Sequence, residues 1–125
     1  MIRRARRVAF AFAATLVTLL APDARAQGRV ATDTLHSRAL RGNAIGDSPD
    51  REVLVYLPPS YERERTRRYP TLYLLHGLTS KPIEWLDGSY QGFDLSRAMD
   101  SLAAAGSSEF IVVMPDADNA YGGTF

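Results

Sequence analysis

The stretch that most constrains this chain is Arg68 to Leu78, R-Y-P-T-L-Y-L-L-H-G-L, a short uncharged run that stops abruptly at His76-Gly77. Leu72, Tyr73, Leu74 and Leu75 present apolar side chains to both sides of an extended backbone. That is the pattern of a strand buried on both faces of a parallel sheet. Gly77 then lets the backbone turn tightly and expose its N–H groups. Open α/β sheets place their ligands outside the carboxyl ends of the strands, so the turn after Leu75 is where chemistry is expected.

The N-terminus reads differently. Arg3, Arg4, Arg6 and Arg7 precede an apolar stretch from Val8 to Ala21, and Ala24-Arg25-Ala26 supplies a small-x-small cleavage site. This is the pattern of a secretory signal peptide over residues 1–26, with Gln27 as the mature N-terminus and an exported, periplasmic or secreted protein as the product. R-R-V-A-F matches a twin-arginine signal only loosely, so general secretion is expected. The apolar stretch is too short to span a bilayer comfortably and no second one follows, so no stable membrane anchor is expected.

Five arginines and one aspartate give residues 1–26 a charge of +4 within a chain of +1, leaving −3 on the remainder. The basic pI therefore belongs to the leader, and no basic stripe follows to suggest nucleic-acid binding. Arg63, Arg65, Arg67 and Arg68 alternate with Glu62 and Glu64, the pattern of a solvated loop. Cysteine is absent. An exported domain without disulfides relies on its hydrophobic core, and zinc held by thiolates is excluded.

Residues 27–125 are expected to form one α/β unit. Thr32 to Leu40 alternates as a first strand, Gly42 to Asp50 is turn-rich, and Glu52 to Leu57 is a second strand closed by Pro58-Pro59. The short connection predicts an antiparallel hairpin. Tyr69 to Leu75 is the third strand. The long connection Thr79 to Gly92 carries Trp85 and Tyr90. Asp94 is an N-cap for a helix whose apolar positions Leu95, Ala98, Met99 and Leu102 recur at three and four spacing, and Gly106 stops it. Phe110 to Met114 is a fourth strand, apolar throughout, closing a βαβ crossover with two parallel strands. It looks built for the middle of a sheet, and would be an aggregation hazard if left uncovered with an unpaired edge.

Serine hydrolysis needs an activated nucleophile, a base oriented by an acid, and donors for the developing oxyanion. Backbone N–H groups suit the last role because the fold fixes them. In α/β-hydrolases one such donor comes from the loop after the third strand. Here that loop begins at His76-Gly77-Leu78, and the N–H of Leu78 is the expected donor. No G-x-S-x-G turn occurs in the chain. Ser89 in G-S-Y-Q-G and Ser108 in G-S-S-E-F read as loop serines. His36 reads as a surface or edge residue, and His76 as a residue that shapes its loop or holds a hydrogen bond. Asp116, Asp118 and Asn119 hint at a calcium loop but lack its sixth-position glycine, so a turn that stops the fourth strand is the better reading.

Four segments, V-Y-L-P-P-S-Y, Y-P-T-L-Y-L-L-H-G-L, W-L-D-G and F-I-V-V-M-P-D-A-D-N-A-Y, together resemble the N-terminal half of the Putative esterase family of α/β-hydrolases. That group includes S-formylglutathione hydrolase, feruloyl and acetyl-xylan esterase modules, enterochelin esterases and the antigen 85 mycolyltransferases. The resemblance implies the N-terminal portion of an α/β-hydrolase sheet, a hairpin followed by a βαβ crossover, truncated before the nucleophile elbow. It implies an oxyanion hole at Gly77 and Leu78, a substrate pocket touched by His76, Trp85 and Tyr121, and a small-molecule or carbohydrate-linked ester as substrate. The catalytic serine, acid and histidine are expected beyond Phe125. No cofactor and no metal is expected. A non-catalytic remnant and an acyltransferase of the same fold stay open as alternatives. The 125-residue chain by itself is expected to give no turnover of p-nitrophenyl acetate above the buffer rate, and turnover sensitive to a serine inhibitor would contradict this.

Overall fold

The computed structural model describes residues 26–122. The leader, apart from Ala26, lies outside the described residues. Four strands form one sheet: β1 (Arg29–His36), β2 (Asp50–Leu57), β3 (Thr71–Tyr73) and β4 (Ile111–Pro115), in the order β1-β2-β4-β3. The β1–β2 pair is an antiparallel hairpin and β3 runs parallel to β4, as expected. Between β3 and β4 lie a 3-10 turn (Pro82–Trp85) and one helix, α1 (Leu95–Ala104).

The register explains the core. Leu54 pairs with Met114 and Tyr56 with Val112 across β2 and β4. Paired residues share a face of the sheet, so these four side chains meet on one side. All four are buried, and Leu95 from the first turn of α1 closes the cluster. Leu74, Trp85, Leu86, Met99 and Phe110 pack around it. The Tyr56 hydroxyl stays inside by donating to Asp100 Oδ1 at 2.7 Å. Burial, then this carboxylate, push the phenol well above its ordinary value.

The helix begins and ends where the sequence says. Asp94 is extended and its side chain accepts the N–H of Arg97 at 3.0 Å, satisfying one orphan donor of the first turn. At the other end the N–H of Gly106 bonds Ala103 O and that of Ser107 bonds Leu102 O. This double closure needs a left-handed residue, which Gly106 supplies at φ 80°.

Two expectations need correcting. First, β1 ends at His36 rather than extending to Leu40. The reason is Asn43: its Nδ2 donates to Leu40 O and Asp47 O, and its Oδ1 accepts from Ile45 N and Asp47 N. Residues 38–40 are thereby drawn into the turn. Second, the strand buried on both faces is not β3. Leu72, Tyr73 and Leu75 are exposed, Tyr73 at 68% and Leu75 at 58%. β3 is an edge strand of only three residues, extended by one further bond from Leu74 N to Val113 O. β4, which reads as built for the middle of a sheet, is central and paired on both sides.

An apolar, unpaired edge templates association with other chains. Lysine at positions 73 and 75 is therefore expected to raise the soluble fraction on expression and lower light scattering, with the far-UV circular dichroism unchanged. Equal aggregation by the double variant would place the sticky surface elsewhere.

Candidate active site

The loops that follow β3 and β4 lie side by side because the two strands are adjacent and parallel. The first runs from His76 to Lys81, the second from Asp116 to Ala120. Their contacts centre on His76, whose side chain is 1% exposed. Its Nε2 lies 3.0 Å from the N–H of Ala117, which can only donate, so Nε2 is the acceptor. The ring proton then sits on Nδ1, which donates to Gly77 O at 3.1 Å. His76 is thus held as one neutral tautomer with both nitrogens used.

Gly77 O also accepts the N–H of Ser80 at 3.1 Å, closing a four-residue turn, Gly77 to Ser80. Thr79, third in that turn, has φ 62°. A positive φ at this position is what a type II turn requires, and it is unusual for a β-branched residue. No cis peptide occurs among the described residues. In a trans peptide the N–H points opposite to the C=O it shares a plane with. The two bonds on Gly77 O therefore aim the N–H of Leu78 away from His76 and Ser80. Among the described residues that N–H has no hydrogen-bond partner, and Leu78 is exposed.

Three further ties hold the second loop. Lys81 Nζ bonds Asp118 Oδ2. The N–H of Ala120 bonds Asp47 Oδ1 at 2.6 Å, and Asp47 Oδ2 pairs with Arg51 at 3.3 Å. The N–H of Asp116 bonds Glu52 O at 2.9 Å. Asp116 and Asn119 make local turns by accepting from Asp118 N and Tyr121 N. So the Asp116–Asn119 segment is a turn, with the Lys81 ammonium as its cation. Among the described residues no group of three His, Cys, Asp or Glu side chains is placed to hold a metal.

The structure brings together some of the expected site residues. His76, Gly77 and Trp85 line a narrow cleft with Ser80, Lys81, Glu84 and Tyr90. Trp85 also faces Tyr90, with ring centroids 4.7 Å apart, and meets Phe93 edge-on at 6.2 Å. Tyr121 lies outside that cleft and is 80% exposed. His36 is exposed on β1, where its Nδ1 lies 2.6 Å from Asp50 Oδ1; that carboxylate raises its pKa. The arginine-rich loop is internally paired, Arg65 with Glu62 and Arg67 with Glu64.

Sequence reading missed Asn43, Asp47 and Lys81. Asn43 had a signal, since an Asn between two turn-rich segments commonly closes a loop on its own backbone. Lys81 had none, because its partner lies 37 residues away.

The family model described as Putative esterase matches residues 43–123. A solved structure of a ferulic acid esterase is 35% identical, with a TM-score of 0.61, over 75% of this chain and 33% of its own. A second, named FAE, is 23% identical with a TM-score of 0.57, over 79% of this chain and 32% of its own, and shows the likeness of fold. The chain therefore spans about one third of the length of the solved structures it matches.

The tie between the loops has a pH signature. The bond to Lys81 holds the Asp118 carboxyl below its ordinary value of 3.8. Its contribution is therefore complete above that value and is lost as pH falls through the lower folded-state value. The same bond raises the Lys81 ammonium above 10.5, so the contribution is also lost at strongly alkaline pH. Asp118→Asn is expected to flatten the acid limb of the stability curve, read from denaturant midpoints between pH 5 and pH 2, where carboxylate linkage acts. An unchanged acid limb would show that the pair adds nothing to folding.

Proposed function

This chain belongs to the Putative esterase family, and on that premise we propose that it is the oxyanion-loop part of an exported serine esterase acting on carboxylic esters by way of an acyl-enzyme. The observation that carries the reading is the N–H of Leu78: unpartnered among the described residues, and aimed by the two bonds on Gly77 O. Such a group is a preorganised donor for charge that develops on a carbonyl oxygen. It needs no reorganisation when the reaction occurs, which is why fixed backbone donors are effective there.

In this reading the nucleophilic serine attacks the ester carbonyl, and its proton passes to a histidine oriented by an acid. The carbonyl oxygen becomes an oxyanion held by the N–H of Leu78 and by that of the residue following the serine. Collapse releases the alcohol and leaves the acyl-enzyme, which water then hydrolyses. The serine, the acid and the base are assigned to sequence beyond these 125 residues. His76 is not the base: its Nε2 is occupied by Ala117 and its Nδ1 proton by Gly77. Its role is to hold the peptide plane that carries the donor. Gly77 and Leu78 form this part of the oxyanion hole, and Trp85 the adjacent wall. Tyr121 is assigned to the pocket only with the rest of the enzyme folded against it.

The substrate class follows the family, small-molecule or carbohydrate-linked esters. The 35% identical neighbour is a ferulic acid esterase, which favours aromatic acyl groups as first substrates to try. The leader-like sequence supports export, with cleavage after Ala26. Among the described residues no helix is long and apolar enough to cross a membrane.

The test is a structure of the complete enzyme labelled on its serine with a phosphonate. The phosphoryl oxygen is expected within hydrogen-bond distance of Leu78 N, and removing one such donor is expected to cost about 100- to 1,000-fold in rate. A phosphoryl oxygen held entirely by other groups would overturn the assignment.

A further inference from the structure

We propose that the cleft at the amino ends of β3 and β4 is a second binding site, for a carboxylate borne on a ring, as in a uronic acid or an aromatic acid. The site is separate from the candidate active site and goes beyond the esterase reading. It opens beside Tyr69 and Ile111, at the end of the sheet opposite to the loops that carry His76 and Ala117. The cleft holds about 360 Å³, within the usual range for a small-molecule pocket.

Its walls are built in advance of any ligand. Residues 60–67 fold into successive turns, in which Glu64 N bonds Ser60 O at 2.9 Å and Arg67 N bonds Glu64 O at 3.0 Å. Ser60, only 3% exposed, stands behind the cleft. Its hydroxyl donates to Glu109 Oε2, because a carboxylate only accepts. The same oxygen then accepts from the Tyr69 hydroxyl at 2.7 Å and from Arg67 Nη1 at 3.2 Å. The proton and both lone pairs of Ser60 are thereby used, and Tyr69 and Arg67 are each fixed by a buried group. Arg67 lies over the Tyr69 ring at 4.9 Å, and Tyr61 meets that ring at 5.8 Å, tilted by 45°.

Charge selects the ligand. Arg65 is paired with Glu62 at 2.8 Å, and Arg67 with Glu64 at 3.1 Å and with Glu109 at 2.9 Å. Arg68 lines the same cleft and has no hydrogen-bond or ion-pair partner among the described residues. One free guanidinium suits a single negative charge, and its fork matches the two oxygens of a carboxylate. Beside that charge, the rings of Tyr61 and Tyr69 and the side chain of Ile111 offer apolar wall to the body of a ring. An inorganic anion would leave those walls unused, and a neutral sugar would leave the guanidinium unused. β3 separates the cleft from His76, so a ligand in one site leaves the other open.

The test uses the complete enzyme with its serine first blocked by a phosphonate, which closes the active site to the probes. Calorimetric titration with galacturonate and with ferulate, each to about 10 mM, detects a Kd as weak as ~1 mM. At least one of the two acids is expected to bind, and the tighter one identifies the source, a polysaccharide or a released aromatic acid. Arg68→Gln is expected to weaken that binding about 10-fold or more, through loss of the charge-assisted hydrogen bonds. Arg63→Gln, which removes the same charge from the same loop but lies outside the cleft, is expected to leave it unchanged. Galactose, which lacks the carboxylate, is expected to bind more weakly than galacturonate by a similar factor. Binding of neither acid, equal binding of galactose, or no loss with Arg68→Gln would overturn the inference. Failure of the phosphonate to label the protein would count against the esterase reading instead, and the same titrations on unlabelled protein would then test the cleft.

Discussion

The carbonyl of Gly77 is the group on which the candidate site depends. It accepts from His76 Nδ1 and from Ser80 N, and these two bonds set the plane of the peptide that ends in the N–H of Leu78. A carbonyl has two lone pairs, and here both are used on the side away from the exposed N–H. The orientation of the donor is therefore a consequence of how its neighbour's acceptor is satisfied. His76 can play this part only as the neutral Nδ1–H tautomer, and Ala117 enforces that form by donating to Nε2. A chain of two hydrogen bonds, Ala117 to His76 to Gly77, reaches from the loop after β4 to the peptide after β3 that carries the Leu78 N–H.

That chain of bonds depends in turn on the sheet. Because β3 and β4 are parallel neighbours, their following loops emerge at the same end. Asp47 on the β1–β2 turn fixes Ala120, and Glu52 on β2 fixes Asp116, so the hairpin supports the second loop from the other side. The arrangement explains why a buried carboxylate such as Asp47 is tolerable. It meets a backbone N–H on one oxygen and Arg51 on the other, and paired charges escape most of the cost that an isolated one would carry.

Much of the fold was legible in the sequence, and the reasons are local. The helix was readable from Asp94 to Gly106 because its cap and stop are single residues with specific backbone demands. The strands were readable from apolar runs bounded by Gly and Pro. What periodicity could not settle was which apolar strand lies centrally. β3 and β4 are both short and uncharged, yet of the two only β4 has partners on both sides. At the site, the tight turn after His76 was legible because glycine following an apolar strand marks a bend, and the role of Leu78 there is the proposal made above. Lys81 and Asp47 were not, because each acts through a partner far along the chain, and neither charge nor spacing points across such a gap. Tyr121 was placed by motif spacing, but spacing does not say where an exposed side chain points.

Thr79 shows what the loop costs and what offsets it. A β-branched residue at φ 62° is disfavoured by about 1–2 kcal/mol relative to a relaxed backbone. Each hydrogen bond around it is worth about 0.5–1.5 kcal/mol net, and three meet within this turn: Ala117 to His76, His76 to Gly77 and Ser80 to Gly77. Together they exceed the strain, while any one of them alone roughly balances it. The bond from Ala117 is the one of the three that joins the two loops, and it adds to the margin by which the turn holds its unfavourable residue. A glycine at position 79 would remove the strain but loosen the unfolded chain and widen the range of turns open to it. Threonine adds stiffness at χ1 and restricts the backbone. The strained residue and the bonds that hold it thus act in the same direction, toward a single orientation of the Leu78 N–H.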